Sequence, residues 1–575
     1  MPNFSDQQKG VIDAPLSATS VIACAGSGKT LTAVERLAKV RELLGESRSH
    51  VALLSFSNVA VNTFRNEFLG SPRMLMNKRV TIETFDSFIT SLILRPHAYR
   101  TMGCDRIPFL LNGSETFLRN SKCKYWFELP NSKKACVEGS ELNKIFVQCR
   151  GGRFEFSYRN NDQEWLTNNG YHVTKYLGAL GAYTHELGKY WAVATLLDQP
   201  EILRILSKRY SHIIVDEAQD VGELHQYVLD LLAETGVKIT LIGDPNQAIY
   251  EFAGATGEYL KSFDSDSGTQ SYTLSINYRS IPEILNVANE LSSRKDTSDS
   301  VCDNDEYGAF YTVYEPNNKI QIVESFISKI QKTGLSIDNS AILCRSNSGV
   351  DKLRGSNVEF GQGMTKLFAL ATVKRDVDGN YKAAFDLVVR CVIGLLERTP
   401  DNLKAMIDKV GEYPEMRGLR QELWMFVRSN ERGLPPGSLN AKADWHPKLK
   451  SRLVDLLDKI ENKYGFSKTR TLGNKVSVKG LPEVPLIPET GLSLESGCPI
   501  RVDTVHQAKG ESLDAVLYVA SNPQIEEMLN GVGSEVGRIG YVAVTRAKKV
   551  FVLGVPKRSI KGLEARLKVL GLKSL

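Results

Sequence analysis

Short apolar runs alternate with stretches of helical spacing at the start of the chain. Residues 21–23 and 51–54 are apolar runs of strand length, whereas residues 31–43 and 59–68 carry apolar side chains at three- and four-residue intervals. Strand-length runs that are apolar throughout are typical of strands covered on both faces of a sheet. The pattern therefore predicts an α/β fold built on a parallel sheet.

This alternation is interrupted twice. It is lost over residues 91–190, where aromatic, Asn, Gly and Cys residues become frequent, and again over residues 376–495, which turn helical and then proline-rich. Strand-like runs return around these segments at residues 212–215, 239–242, 340–344, 516–519 and 550–553. We therefore predict two parallel-sheet domains, each carrying one insertion.

Composition changes this picture little. The chain has 575 residues, 42% of them hydrophobic and 24% charged, with a net charge of +6. These values are ordinary for a globular protein of three to five domains, and they permit a polyanionic partner without requiring one. No signal-like or membrane-spanning stretch is present, since the best apolar run is broken by Arg390. A cytoplasmic location is expected by default.

Four cysteines lie close together in the first insertion. Cys104, Cys123, Cys136 and Cys149 suggest a metal site by their number, but none forms a CxxC pair. Two interpretations remain open, a bound metal ion and reduced thiols, and the spacing favours reduced thiols that are mostly buried.

The strongest motif is Ala-Cys-Ala-Gly-Ser-Gly-Lys-Thr at residues 23–30, between a predicted strand and a predicted helix. Its glycines let backbone N–H groups converge on an anion, and the helix N-terminus adds partial positive charge. Lys29 is predicted to reach the β- and γ-phosphates of ATP, and Thr30 to bind Mg²⁺. The predicted nucleotide-binding residues of this loop are Ala25, Gly26, Ser27, Gly28, Lys29 and Thr30.

A second motif places two carboxylates at the end of an apolar strand. Asp216 and Glu217 follow the run at residues 213–215, where α/β sheets position their ligands. We expect Asp216 to hold Mg²⁺ and Glu217 to deprotonate the attacking water, because phosphoryl transfer needs both functions. The alternative is that the two acids merely interact with the N-terminus of the next helix.

With these motifs the chain resembles superfamily 1 helicases of the UvrD/Rep/PcrA group. Residues 216–220, Asp-Glu-Ala-Gln-Asp, are similar to that family's second motif, and residues 5–8 resemble its adenine-reading motif, with Gln8 as the reader. Further blocks resemble the family's motifs in their order, at residues 55–58, 243–250, 277–280, 504–510 and 541–547.

The resemblance implies two RecA-like P-loop NTPase domains, each with an inserted subdomain. Domain 1A would comprise residues 1–90 and 191–280, with subdomain 1B at 91–190. Domain 2A would comprise residues 281–375 and 496–575, with a reduced 2B-like insertion at 376–495. The implied activity is that of an ATP-dependent 3′-to-5′ helicase or translocase acting on single-stranded or tailed duplex DNA.

The resemblance also assigns catalytic roles. Arg279 and Arg546 would stabilise transition-state charge from the second domain, Tyr278 would stack on adenine, and Gln247 would sense the γ-phosphate. Taken alone, any of these arginines is more often a surface residue.

DNA binding calls for aromatic platforms and contacts to the backbone. The predicted stacking residues are Phe56, Phe85, Tyr250 and Phe252. Asn58, Thr84 and His506 would contact phosphates or sugars. The alternative for these rings is core packing, which is an equally good interpretation for Phe85.

Several residues depart from the family's pattern. Phe252-Ala253 stands where Trp-Arg is usual, Asp86 where many members have histidine, and Val59 where lysine is frequent. The acidic residue of the fifth motif is shifted, with Glu511 as the substitute. The compact chain resembles the helicase-like subunit of Gabija antiviral systems, which works beside an OLD-type nuclease. The competing hypothesis is therefore a DNA-stimulated ATPase that senses DNA and regulates a nuclease, with little unwinding of its own.

Overall fold

The computed structural model describes residues 4–575 except 71–78, 112, 114, 131, 151, 161–162, 252–253, 303, 316–319, 355–360, 377–378 and 488–499. The chain divides into two compact units, each assembled from separate segments. The first unit contains residues 1–93, 192–355 and 497–575, and the second contains residues 94–191 and 356–496. The finer division into four subdomains stays a prediction.

The first unit contains two six-stranded sheets, and the first sheet is entirely parallel. In spatial order its strands are Gln270–Leu274, Thr19–Ala23, Lys238–Gly243, Tyr210–Asp216, His50–Ser55 and Val80–Thr84. The α-helices of these parts of the chain are Asp6–Ile12, Lys29–Leu43, Asn58–Gly70, Phe85–Ile89, Pro200–Arg209, Glu223–Glu234 and Glu258–Asp264. The central strands are buried along almost their whole length, which explains their apolar sequences.

The second sheet of this unit is also parallel throughout. Its strands, in spatial order, are Arg501–Thr504, Ser340–Cys344, Leu513–Val519, Ala547–Pro556, Gly308–Tyr314 and Lys573–Ser574. The α-helices that accompany it are Pro282–Ser292, Ile320–Thr333, Asn347–Arg354, Asn522–Leu529, Glu535–Arg546 and Ile560–Val569. A short parallel pair, Ile276–Asn277 with Thr297–Ser298, follows the first sheet in the chain. The predicted α/β class with two parallel sheets is confirmed.

In the second unit, the segment from the first insertion is rich in antiparallel strands. Tyr125–Glu128 pairs with Lys134–Val137, and Arg153–Asn160 pairs with both Ile145–Arg150 and Gln163–Leu166. Its other elements include the parallel pair Phe109–Leu110 and Ala182–Tyr183, the π-helix Thr90–Ala98, the 3-10 helices Thr116–Arg119, Ser121–Cys123 and Gly139–Lys144, and the α-helices Tyr99–Met102, Gly170–Ala179 and His185–Asp198. The π-helix and the last α-helix each cross the limit between the two units.

The segment from the second insertion is helical, as its pattern predicts. Its α-helices are Gly363–Asp376, Tyr381–Gly394, Leu403–Asp408, Arg417–Arg428, His446–Tyr464 and Leu472–Lys475. A shared apolar core includes Phe385, Trp445, Leu453 and Leu457. The rings of Phe385 and Trp424 stack with centroids 4.2 Å apart.

Among the described residues, no group of three or more His, Cys, Asp and Glu side chains is placed to hold a metal ion, at the clustered cysteines or elsewhere. Cys104 and Cys123 are buried thiols, whereas Cys136 and Cys149 are partly exposed. Among the described residues, no helix is both long and apolar enough to cross a bilayer.

Candidate nucleotide-hydrolysis site

The phosphate-binding loop adopts a backbone that requires its glycines. Gly26 and Gly28 have φ angles of +72° and +77°, a region that side chains with a Cβ disfavour. A Cβ on Gly26 would lie 2.6 Å from Cβ of Arg279, and one on Gly28 would lie 2.8 Å from Nε2 of Gln8. The loop is therefore fixed by conformation and by close approach of neighbouring side chains.

The helix after this loop begins at Lys29 without a side-chain cap. Its first N–H groups therefore stay available for an anion. Nζ of Lys29 donates to the carbonyl of Cys24 at 3.3 Å, and Oγ of Ser27 donates to the same oxygen at 2.9 Å. Thr30 lies in the first helical turn, beside these groups.

Gln8 bridges the N-terminal helix and the loop. Its Oε1 accepts from the backbone N–H of Ser5 at 3.0 Å in a capping box, and its Nε2 donates to the carbonyl of Ser27 at 3.1 Å. The neighbouring Gln7 exchanges two hydrogen bonds of 2.9 Å with Ser275. The short helix thus ties the phosphate loop to the edge of the sheet.

The two acids stand at the end of the strand Tyr210–Asp216. Asp216 is buried, and its Oδ1 has no hydrogen-bond partner among the described residues, which fits a carboxylate that binds a cation. Burial, and then the charge of Glu217, raise the pKa of Asp216 above its usual range. Bound Mg²⁺ would reverse that effect and would suit the carboxylate and the nearby Thr30 hydroxyl.

Glu217 occupies a strained backbone position, with a φ angle of +53°. Burial raises the pKa of Glu217, but the positive charges of Lys29 and Lys509 outweigh burial and hold it below its usual range. The carboxylate is therefore ionised near neutral pH and suited to accept a proton.

A hydrogen-bond path connects Glu217 to the second sheet. Nε2 of Gln219 donates to Glu217 at 2.6 Å, and Oε1 of Gln219 accepts from the backbone N–H of Asp244 at 3.0 Å. Nε2 of Gln247 donates to Oδ2 of Asp244 at 2.8 Å. Finally, Nη2 of Arg546 donates to Oε1 of Gln247 at 3.0 Å. The path is buried apart from the partly buried Glu217, so both sheets are linked in a region shielded from water.

The two predicted arginines converge on this region. Nη1 of Arg279 donates to the carbonyl of Thr545 at 3.0 Å, directly beside Arg546 in the chain. Burial, and then the charge of Arg546, lower the pKa of Arg279 to about 9, as expected for two buried cations near one another. Burial also lowers the pKa of Arg546, whereas Glu217 opposes this shift.

Asn277 and Tyr278 hold the phosphate loop from the other side. Nδ2 of Asn277 donates to the carbonyl of Ala25 at 2.7 Å, and the backbone N–H of Tyr278 donates to that of Gly26 at 2.9 Å. The Tyr278 side chain is 40% exposed, so its ring is accessible for stacking. Asn277 received no role from the sequence, although it lies within a motif.

The contacts of three more residues in this region were missed by sequence reasoning. Nζ of Lys509 forms a buried ion pair with Asp220 at 2.7 Å and donates to the carbonyl of Gln247 at 3.0 Å. The hydroxyl of Tyr541 donates to Oδ2 of Asp244 at 3.1 Å. These residues all lie within the recognised motifs, and that position was the available signal.

The third missed contact crosses between the sheets at Arg538, whose guanidinium pairs with Glu251 at 2.5 Å and donates to the carbonyl of Ala248 at 2.6 Å. It lies three residues before the sixth motif, so no motif pointed to it. Arg538 supplies a guanidinium to the end of the third motif, where the family's usual arginine is replaced.

The predicted DNA-contacting residues of the first sheet have different environments. Phe56 is half-buried, with its ring 5.4 Å from that of His225, and Asn58 is exposed at the start of a helix. Phe85 is fully buried and stacks on His225 at 4.6 Å, so a base cannot reach its ring in this arrangement. Thr84 caps a helix by accepting from the backbone N–H of Ser87 at 3.1 Å. Phe85 is therefore packed in the core and Thr84 caps a helix, and contacts of these two residues with DNA stay a prediction.

The predicted DNA residues near the second sheet form a pair. The rings of Tyr250 and His506 lie 5.6 Å apart, and Nζ of Lys509 lies 4.7 Å from the Tyr250 ring centroid. His506 also shares a hydrogen bond of 2.9 Å with the carbonyl of Ile249. Phe252 lies outside the described residues.

Two of the departures from the family's pattern have structural partners. Asp86 lies 3.0 Å from Nε2 of His225, so the acid in place of histidine contacts a histidine from another helix. The Glu511 carboxylate binds Arg501 through contacts of 2.6 and 2.9 Å. Glu511 is thus engaged in an ion pair, which weakens its interpretation as a ribose-binding substitute.

Two parallel sheets that meet at a phosphate-binding loop define a P-loop NTPase of the kind with paired RecA-like domains. Residues 4–145 and 174–268 match the sequence profile of the UvrD/REP helicase N-terminal domain. Over these residues, the chain is a member of the UvrD/REP helicase family.

Relatives at moderate identity agree with this assignment. The DNA helicase II of Haemophilus influenzae is 28% identical over 366 residues, 60% of this chain and 49% of that protein. The "Probable DNA helicase II homolog" of Mycoplasma genitalium is 23% identical over 97% of this chain and 86% of its own length. The "ATP-dependent DNA helicase PcrA" of Staphylococcus epidermidis is 32% identical over 26% of this chain and 21% of its own. The chain thus spans about half the length of the first of these relatives.

Proposed function

We propose that the protein is an ATP-dependent DNA helicase or translocase that moves 3′-to-5′ along single-stranded DNA. The observation that carries the proposal is the hydrogen-bond path from Glu217 through Gln219, Asp244 and Gln247 to Arg546. It joins a base beside the phosphate loop to a cation of the second sheet. Through such a link, binding and hydrolysis of the nucleotide would change the position of one sheet relative to the other.

Binding of ATP rests on the first sheet. Lys29 would exchange the Cys24 carbonyl for phosphate oxygens, and the uncapped helix N-terminus would add N–H donors. Thr30 and Asp216 would hold Mg²⁺, which neutralises phosphate charge when bound. Gln8 and Tyr278 would contact the adenine.

Hydrolysis follows from the charges around Glu217. This carboxylate would orient a water molecule and accept its proton as the oxygen attacks the γ-phosphorus. Arg279 and Arg546 would stabilise the negative charge that develops on the phosphoryl oxygens. Because Arg546 also contacts Gln247, loss of the γ-phosphate would change both contacts together.

The same residues suggest how hydrolysis is coupled to DNA. Lys509 binds Asp220 in the second motif and Gln247 in the third, and it also lies over the ring of Tyr250. A shift of Gln247 would therefore move Lys509, and this movement would change the contacts of Tyr250 and its neighbour His506. Phe56 and Tyr250 would stack on bases without reading their sequence.

The test is a strand-displacement assay on duplexes with a 3′ or a 5′ single-stranded tail. We expect ATP-dependent separation of the 3′-tailed duplex alone, abolished by Lys29→Ala. Lys39→Ala is the matched control, because Lys39 lies on the same helix and pairs only with the carboxylates of Asp13 and Glu42 among the described residues. Separation from the 5′ tail alone would contradict the proposed polarity.

A second proposal predicts a different result in this assay. The chain would be a DNA-stimulated ATPase that regulates an OLD-family nuclease, as in a Gabija-type antiviral complex. Engagement of Glu511 by Arg501, at the shifted acid of the fifth motif, is the observation that favours it. Hydrolysis stimulated by DNA without any strand separation would support this second proposal and would contradict the helicase.

A further inference from the structure

The second unit contains a cavity that the proposed motor does not use. Its volume is about 440 Å³, within the range of sites that hold small organic molecules. Its wall is assembled from both insertions, including Arg119 and Lys124 from one and Arg390 and Lys475 from the other. No recognised motif contributes to it.

Positive charge is in excess on this wall. Four cationic side chains line the cavity against two carboxylates, and both carboxylates are engaged. Glu138 binds Lys124 at 2.5 Å, and Glu115 accepts from the backbone N–H of Gly113 at 2.9 Å.

The other three cations form no ion pair with a described carboxylate. In the part of the chain that the structure describes, neither Arg119 nor Arg390 forms an ion pair, and Lys475 donates to the carbonyl of Gly394 at 2.8 Å. Burial, and then the charge of Arg119, lower the pKa of Lys475, whereas the charge of Glu397 opposes this shift. An anion bound between them would relieve this repulsion.

The rest of the wall is apolar. Leu118, Met364 and Leu367 line the cavity next to the cations. Gly394 allows a close approach there, since a Cβ at that position would lie 2.6 Å from Cε of Met364. The cavity thus offers both cationic and apolar groups to one ligand.

We propose that this cavity binds an organic phosphate of nucleoside-monophosphate size. Its phosphate would bind Arg119, Arg390 and Lys475, and its base would lie on Met364 and Leu367. Arginine and lysine together suit a dianionic phosphate ester. Inorganic phosphate would make no contact with the apolar residues of the cavity, whereas the base of a nucleotide would. The nucleotide can come from solution or from the 5′ end of a DNA strand.

The test is calorimetric titration of the full-length protein with thymidine 5′-monophosphate, with thymidine as the chemical control. Arg390→Ala and Lys475→Ala should each weaken binding of the monophosphate by about tenfold or more, because each removes a charge-assisted hydrogen bond. Lys382→Ala, on the same helix as Arg390, should have no effect, and neither should Lys29→Ala. Basal ATP hydrolysis should be unchanged in the cavity variants, which verifies that they are folded.

A second arm separates the two sources of the nucleotide. Tailed duplexes with a 5′-phosphate or a 5′-hydroxyl are compared for binding to the protein and to Arg390→Ala. A preference for the 5′-phosphate that Arg390→Ala removes would assign the ligand to a DNA end, and an effect on the monophosphate alone would assign it to solution. If Arg390→Ala fails to fold, the exposed Arg119 provides the variant Arg119→Ala. Unchanged binding of both probes in the cavity variants would overturn the proposal.

Discussion

The site of the first unit and the cavity of the second unit are built from similar cations in different ways. In the first unit, Lys29, Lys509 and Arg546 each contact an acceptor of the protein and belong to recognisable motifs. In the second unit, Arg119 and Arg390 lie far apart in the sequence and belong to no motif. A site built from contiguous motifs can be recognised in a sequence, whereas a site assembled from distant residues can be recognised only in the folded structure.

The largest effect should come from the base of the first unit. Glu217→Gln keeps the shape and the hydrogen bond to Gln219 but cannot accept a proton, so kcat for ATP should fall by about 10³ or more. Steady-state hydrolysis with and without single-stranded DNA measures this. In the same assay, Arg390→Ala should leave kcat unchanged. Equal losses of kcat in Glu217→Gln and Arg390→Ala would contradict the assignment of hydrolysis to the first unit alone.

Replacement of Arg546 should reduce ATP hydrolysis nearly as much. Arg546→Ala should lower kcat by about 10³ with little change in KM, because its charge is needed in the transition state. A rise in KM at unchanged kcat would instead indicate ground-state binding. Arg566→Ala is the control, since this exposed arginine lies on the helix Ile560–Val569 beside the same sheet and donates to Asn530 rather than to Gln247.

The next comparison concerns stability. Trp445 is fully buried in the second unit, and its Nε1 donates to the carbonyl of Pro435 at 3.2 Å. Trp445→Ala should cost about 3–5 kcal/mol of unfolding free energy because of the large cavity it leaves. Calorimetry should show that the second unit of the variant unfolds at a lower temperature, while ATP binding to the first unit is retained. Loss of ATP binding together with unfolding of the second unit would mean that the two units do not unfold independently.

The smallest effect is a pH dependence confined to the first unit. Burial lowers the pKa of His212 to about 3, from an ordinary value of 6.5, and its ring contacts Oγ1 of Thr240 at 2.8 Å. The unfolded chain therefore binds a proton below pH 6.5 that the folded chain does not, and stability should fall by about 1.4 kcal/mol per pH unit from this residue. Denaturant titrations at pH 7, 6 and 5 should show a flatter profile for His212→Gln. Identical profiles would contradict this assignment.

The predictable part of the fold follows from local pattern. The strands His50–Ser55 and Tyr210–Asp216 are apolar because both of their faces are covered, and this signal is present in the sequence. The strand Arg153–Asn160 also alternates, with Phe154, Phe156 and Tyr158 at every second position, but its partners could not be deduced from composition.

The candidate site shows the same limit. The phosphate loop and the acids could be identified because their chemistry needs adjacent residues. The buried position of Phe85 and the capping by Thr84 depend on His225 and on the local helix, respectively. Threonine is a favoured N-cap residue, so the sequence is compatible with helix capping by Thr84 as well as with a contact to DNA.

The most direct test of the account is a structure of the protein with Mg²⁺ and a non-hydrolysable ATP analogue. We predict that Lys29, Arg279 and Arg546 all reach the terminal phosphate at hydrogen-bond distance, about 3 Å, with Asp216 and Thr30 at the metal ion. A terminal phosphate bound by Lys29 while both arginines remain on protein acceptors would contradict it.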